Sequence, residues 1–392
     1  VTQPRLLAVA SARRPCGVAD YHAALLAGFG PAAAVTPVDL PDEFAPRSRP
    51  VRLLLRRRAV RRLARAADRL DAVLVEYHPR FWNHVGRSGE ELFPAFVRAA
   101  RRPVVAVVHE VADPVREGPP ANRLKGWHVR AWERLNPGPP GAALAGCAAL
   151  FAHAPAVRDW LLALGTPADR VALLPHPVFA PPAGVPPPAE IDRRFALGGR
   201  RVVAMVGFPD PRKGFDVAVR AAAGLPADVL LVWAGGVTDR SEAAALARLA
   251  AEVGLGDRFR PLGYVNEPTL YGVLGRAAAA VAPFRDAPGS GSVARMIGAG
   301  VPVVATDRPS LRELRDAGAG LELVPDAGPG AVRAAVAGLL ADPGRAARLA
   351  AANREYAGRH GFDRLAAAVL AACGVNHGKR PAAGRPAGGR IR

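Results

Sequence analysis

Short apolar runs alternate with stretches of helical periodicity along almost the whole chain, and this alternation limits the fold more than any other feature. RLLAVA, DAVLVEY, PVVAVVHE, ALFAHA and RVALLPH read as strands in the first half. GVADYHAALLAGF, GEELFPAFVRAA and PAVRDWLLALG read as helices between them. Strand–helix alternation of this kind builds parallel sheets covered by helices. The segment PHPVFAPPAGVPPPAEID then breaks the pattern, because its prolines remove backbone donors and fix φ. The pattern restarts with RRVVAMVGF and the helix KGFDVAVRAAAG. DVLLVWAGG, FRPLGYV, AAAAVAPF and VPVVATD follow as strands with helices between them.

A chain of 392 residues exceeds one ordinary core. The expected organisation is α/β, with two doubly wound, Rossmann-like domains facing across a cleft. The first covers 1–176, a proline-rich linker 177–190 and the second domain 191–355. A helix over 356–375 is expected to return to the first domain. The basic tail 376–392 has no apolar periodicity and is expected to be disordered. No internal repeat of solenoid period is present.

The formal net charge is +19, and its distribution matters more than its sum. Between Arg47 and Ala67 stand nine arginines and no acid. A helix after Pro50 would place Val60, Leu63, Ala67 and Leu70 on one apolar face and leave arginines on the rest. Such a face is either the solvated side of a packed helix or a contact for an anionic membrane or anionic acceptor. Nucleic acid is not expected, because no aromatic platform accompanies the arginines. Cys16, Cys147 and Cys373 lie far apart, which argues against a disulfide framework or a zinc site. With no signal-peptide pattern and no long uncharged apolar helix, the expected location is the cytoplasm, with membrane association through the arginine-rich segment.

In doubly wound sheets ligands bind beyond the carboxyl ends of the strands. Three turns there carry candidate chemistry. In SARRPCGVADYH, Gly17 opens a helix whose free N–H groups would face the cleft, beside Arg13 and Arg14. In GFPDPRKGFD, Lys213 follows a strand and begins a helix; it reads either as a solvated lysine or as a point charge for a diphosphate. In DAPGSGSVARMIGAGVPVVATD, Ser290, Gly291, Ser292 and Val293 form a helix start, which is either a capped connection or an anion site.

These turns, with AVVHE, LLPHPV and LGYVNEPTLYGVLGRA, stand in an order that resembles the family 4 glycosyltransferases of the GT-B fold, over residues 5 to 360 or so. The resemblance implies a retaining transferase that moves a hexose or modified sugar from a nucleotide sugar to an acceptor, with no metal or other cofactor. Gly17 would lie against the donor diphosphate, and Lys213 would bind it. His109 would stand near the transferred sugar and, with Lys213, form the catalytic pair; read from the residues alone, a core or capping histidine is the alternative. Tyr264 and Val265 would pass the base. Ser290, Gly291, Ser292 and Val293 would meet phosphate.

The chain departs from that family at two glutamates, which here read Ala287 and Arg295. Asp286 is adjacent to the first and is the candidate substitute for it. Arg295, one helical turn after Ser292, is expected to reach back toward the anion in place of a ribose-holding carboxylate. Phe208 stands where an arginine is usual. A catalytically silent GT-B protein that binds a sugar nucleotide or a partner enzyme is therefore the alternative. A sugar-nucleotide epimerase is a third reading, and would need more carboxylates in the cleft.

Overall fold

The computed structural model describes residues 3–10, 17–39, 49–82, 92–110, 141–236, 240–286, 290–326 and 328–374. The first domain runs β1 (Arg5–Ala10), α1 (Gly17–Phe29), β2 (Ala34–Asp39), α2 (Arg49–Ala66), β3 (Ala72–Tyr77), α3 (Pro79–Trp82), α4 (Phe93–Ala99), β4 (Val104–Val108), β5 (Ala149–Ala152), α5 (Pro155–Ala163) and β6 (Val171–Leu173). The second runs α6 (Pro188–Phe195), β7 (Arg201–Val206), α7 (Phe215–Ala223), β8 (Val229–Ala234), α8 (Arg240–Glu252), β9 (Phe259–Gly263), α9 (Glu267–Arg276), β10 (Ala279–Ala282), α10 (Gly291–Gly298), β11 (Val303–Thr306), α11 (Pro309–Asp316), β12 (Leu321–Val324) and α12 (Pro329–Ala341). Two further helices, α13 (Pro343–Arg359) and α14 (Phe362–Ala372), complete the chain.

The strands form two six-stranded sheets, ordered β2-β1-β3-β4-β5-β6 and β12-β11-β10-β7-β8-β9. Every strand pairing within them is parallel. Central strands such as β3 and β8 are buried at all positions, as helices on both faces require. The sequence reading passed over β2 and β12. Both are sheet edges with half-exposed residues, so their apolar signal is weak. Pro37 sits in β2, and an edge tolerates a residue that cannot donate to a ladder. In α2, Pro50 occupies the first turn, where no N–H is needed, and Val60 and Ala64 are buried. The helix ends at Ala66, so Leu70 lies beyond it.

The C-terminal region is two helices rather than one, broken at His360 and Gly361. The break lets Val178 of the proline-rich segment donate its N–H to the His360 carbonyl at 2.8 Å. The returning helix therefore starts at Phe362 rather than at 356. It lies on α1, and Phe362, Leu365, Ala366 and Val369 join Leu6, Ala8, Tyr21, Leu25 and Phe29 in one core. The contact is close at Gly28, where a Cβ would stand 2.7 Å from the Phe362 carbonyl carbon. The basic tail lies outside the described residues, as does Cys16. Cys147 and Cys373 are free and buried, and burial pushes both thiols up to about 12.

Gly28→Ala is expected to force α14 off α1. Overpacking of this kind costs about 1–3 kcal/mol. A lowered urea midpoint checks it, with Gly30→Ala, whose Cβ would meet nothing within 4 Å, as the control for loss of a glycine in a strained turn.

Candidate active site

The order of each sheet reverses once, between β1 and β3 in the first and between β7 and β10 in the second. A crevice opens at such a reversal because neighbouring strands send their crossovers to opposite faces. The candidate residues fall at these two places.

In the second domain β7 is followed by Gly207, whose φ of +112° only glycine adopts without strain. The Trp233 indole N–H fixes this turn by donating to the Gly207 carbonyl at 2.9 Å. A Cβ on Gly207 would stand 2.6 Å from Ser292 Oγ and 2.9 Å from Lys213 Nζ. The missing side chain is what lets a lysine from one turn and a serine from another helix meet over the strand end. Asp210 holds the lysine turn by accepting the Arg212 N–H at 2.8 Å. The Lys213 ammonium makes no hydrogen bond or ion pair among the described residues, while the residue's backbone N–H donates to the Asp210 carbonyl at 2.8 Å. Desolvation lowers its ammonium to about 8, against a smaller opposing pull from Asp210.

Ser290 caps α10 and accepts the Val293 N–H at 3.3 Å. Val293 is thus engaged in the cap rather than offered to a ligand. Gly291 and Ser292 keep the unpaired first-turn N–H groups that every helix start carries. An unpartnered ammonium, a hydroxyl and a helix N-terminus make a pocket for an anion. Beside it, Phe208 and Tyr264 flank Gly236: a Cβ there would lie 2.7 Å from Phe208 Cε1 and 3.3 Å from Tyr264 Cδ2. Tyr264 is 64% exposed, so a broad aromatic surface stays open to a ligand. Val265 instead packs against the core beneath. Asp286 donates its backbone N–H to the Arg212 carbonyl at 3.3 Å, close to the lysine turn, while Ala287 lies outside the described residues.

Two ion-pair systems cross from one domain to the other. Arg212, next to Lys213, donates to Glu110 Oε1 at 3.0 Å, and Glu110 Oε2 lies 2.9 Å from His78 Nε2. The hydrogen bond from His78, with help from Arg212, holds the Glu110 carboxyl down at about 2. This pair sets His109, the neighbour of Glu110, across from the lysine turn. The second system is Arg295. It is 8% exposed and lies over the Phe179 ring at 3.9 Å. Its Nε donates to Glu267 at 3.2 Å and its Nη2 to Asp20 of α1 at 3.1 Å. Arg295 is therefore no free phosphate-facing cation. Two carboxylates and an aromatic face within reach compete successfully for it, and they were invisible in the local sequence because Asp20 lies 275 residues away.

Gly17 opens α1 with its Cα side exposed and nothing within 4 Å of a Cβ, while Arg13 and Arg14 lie outside the described residues. Below it the structure assembles a cluster that sequence reasoning missed. Glu76, at the carboxyl end of β3, is 0% exposed. His109 Nε2 lies 2.7 Å from its Oε2 and His22 Nδ1 3.5 Å from its Oε1. Tyr21 stands edge-on to His109 with ring centroids 4.5 Å apart, and its hydroxyl is 2.6 Å from His153 Nε2. A charged residue within the apolar run DAVLVEY was the one available signal. Among the described residues no group of three or more histidine, cysteine, aspartate or glutamate side chains could hold a metal ion.

Two parallel sheets whose reversal points face each other, with an anion pocket on one and a histidine–glutamate cluster on the other, define a GT-B protein. Residues 200–342 match the family model described as glycosyl transferases group 1. A D-inositol 3-phosphate glycosyltransferase of Xylanimonas cellulosilytica is 31% identical over 233 residues, which are 57% of this chain and 56% of that protein. The chain thus matches only about half the length of that curated relative. Among solved structures, Anabaena Alr3699/HepE in complex with UDP and glucose superposes with a TM-score of 0.68 at 14% identity, covering 94% of this chain and 100% of that one. Sucrose-phosphate synthase of Thermosynechococcus elongatus gives 0.66 at 17% identity, over 94% and 97% of the two chains. These likenesses establish the fold.

Lys213→Ala is expected to weaken binding of a nucleoside diphosphate by about 1.5–3 kcal/mol, the worth of a charge-assisted contact, with the melting temperature of the free protein little changed. In the wild type the affinity should fall as pH rises through about 8, because the neutral amine no longer attracts the anion. Calorimetric titration of UDP from pH 6.5 to 9.5 measures both, and the variant should lose the pH dependence along with the affinity.

Proposed function

We propose that the protein is a retaining, nucleotide-sugar-dependent glycosyltransferase of the family 4 type. The observation that carries this reading is the unpartnered Lys213 beside Ser292 and the α10 N-terminus, at a strand reversal. A donor diphosphate would lie there, with Gly17 against it, the base against Phe208 and Tyr264 and the sugar toward His109. The bond between the anomeric carbon and the diphosphate oxygen breaks as the acceptor oxygen attacks from the same face. The acceptor proton passes to the departing phosphate oxygen. Negative charge develops on that diphosphate, and fixed N–H groups with Lys213 stabilise it without rearrangement. In this reading they do the work a metal ion would otherwise do, and no cofactor is used. The similarity to a D-inositol 3-phosphate glycosyltransferase supports the transferase class, and the likeness to a GT-B structure holding UDP and glucose supports the donor class.

A second reading rests on Arg295. It stands where the resemblance implies a carboxylate, and it is committed to Asp20 and Glu267. A silent protein that binds a sugar nucleotide without cleaving it would keep the Lys213 pocket and lose the turnover. The two readings separate on a panel of UDP-, GDP- and ADP-hexoses. Release of nucleoside diphosphate, lowered about 10- to 100-fold in kcat/KM by Lys213→Ala, supports the transferase. Saturable binding without cleavage of any donor supports the silent protein.

The reading includes a cytoplasmic location and contact with an anionic membrane surface. No helix among the described residues is long and apolar enough to cross a membrane. Arg58, Arg61, Arg62 and Arg65 of α2 are exposed, as are Arg98 and Arg101 at the end of the neighbouring α4. Each basic residue close to such a surface contributes on the order of 1 kcal/mol. Co-sedimentation is expected with phosphatidylserine-containing vesicles and not with neutral ones, and to fade with salt; equal pelleting with both would leave a solvated helix face.

A further inference from the structure

The aromatic surface of Phe208 and Tyr264 and the anion pocket of Lys213 and Ser292 lie at neighbouring strand ends of one sheet, after β9, β8 and β7. A nucleoside diphosphate laid from one to the other crosses the space between them with its ribose. One carboxylate stands at that crossing. Gly263, at φ +70°, turns the chain out of β9 past Tyr264, and Asn266 starts α9 by accepting the Thr269 N–H at 3.1 Å. Glu267 is thereby the first residue of α9, three positions after Tyr264. Its Oε1 accepts from Arg295 Nε at 3.2 Å, while Nη1 of the same guanidinium lies 3.5 Å from the carbonyl of Gly291, the first residue of α10. A single guanidinium thus spans from the Glu267 carboxylate to the helix start that carries Ser292. The anchor is itself fixed: Arg295 is 8% exposed, lies over the Phe179 ring and donates Nη2 to Asp20 at 3.1 Å. Two carboxylates face this one cation, so acceptor capacity is left over. Glu267 Oε2 has no partner among the described residues, and its side chain is 44% exposed. An ionised carboxylate only accepts hydrogen bonds. It repels phosphate and suits a neighbour that brings hydroxyl donors.

We infer that Glu267 is a specificity-determining residue: its carboxylate, positioned by Arg295, accepts hydrogen bonds from the vicinal ribose hydroxyls and selects ribonucleotides over deoxyribonucleotides. Arg295 then does not empty the site of a carboxylate but delivers one from the neighbouring helix. The inference rests on the nucleotide-sugar reading for the identity of the ligand, but not on turnover of that ligand.

The test is calorimetric titration of the full chain with UDP, GDP and ADP, each against its 2′-deoxy form. The wild type is expected to bind its preferred ribonucleotide about 10-fold or more tightly than the deoxy form, equivalent to about 1.4 kcal/mol. Glu267→Ala should weaken the ribonucleotide far more than the deoxy form and narrow the gap to about twofold or less. Glu267→Gln, which keeps the length and gives up the charge, should fall between, and it decides if the alanine variant does not fold. A merely structural part for Glu267, as the holder of Arg295, would weaken both nucleotides equally and preserve the gap. Equal binding of the two forms by the wild type, or an intact gap in both variants, overturns the proposal. Selective ribonucleotide binding without diphosphate release from any sugar nucleotide rejects the transferase and leaves this inference standing; no binding of UDP, GDP or ADP rejects both.

Discussion

The chain passes between its two sheets twice, and the second passage controls where the two crevices meet. The proline-rich segment makes the first crossing, and α13 and α14 make the second. They are pinned together where the Val178 N–H meets the His360 carbonyl. A single linker would leave the domains free to turn. A second strand of chain, anchored by burying Phe362, Leu365 and Val369 against α1, restricts that turning through apolar burial. Ion pairs from Glu110 to Arg212 and from Asp20 to Arg295 then add direction to a contact that burial alone leaves unspecific.

Those pairs also sort the charges of the cleft. Of the cations near α10 and the lysine turn, Arg212 and Arg295 each engage two carboxylates. Lys213 engages none among the described residues, and partial burial without a partner costs it affinity for its proton. A diphosphate would return that cost. Across the cleft the same physics runs in the opposite sense, where a buried carboxylate draws two imidazoles to itself. The site is thus divided between a domain that waits for negative charge and one that holds its negative charge inside.

Much of the architecture was legible along the chain. Continuous apolar runs mark the central strands because helices cover both faces, and β2 and β12 escaped notice because half-exposed residues interrupt that signature in them. Lys213, Ser290 and Ser292 were legible because glycine-rich turns after strands are local patterns. Glu76 was not, since a single acid in an apolar strand says nothing of the histidines that surround it. Arg295 was read as a cation near phosphate; its position was local knowledge, but its partners were not.

By itself the sequence determined two parallel sheets with glycine-rich, helix-starting turns after their strands, because strand pattern, turn chemistry and helix starts are set by neighbours within a few residues. The tertiary structure alone decided which charges remain available. Asp20 and Arg295 are 275 positions apart, and Glu110 and Arg212 are 102 apart. Coulomb attraction and desolvation act through space at a few ångströms, so whether an arginine faces a ligand or a carboxylate is settled only when distant segments are folded against each other.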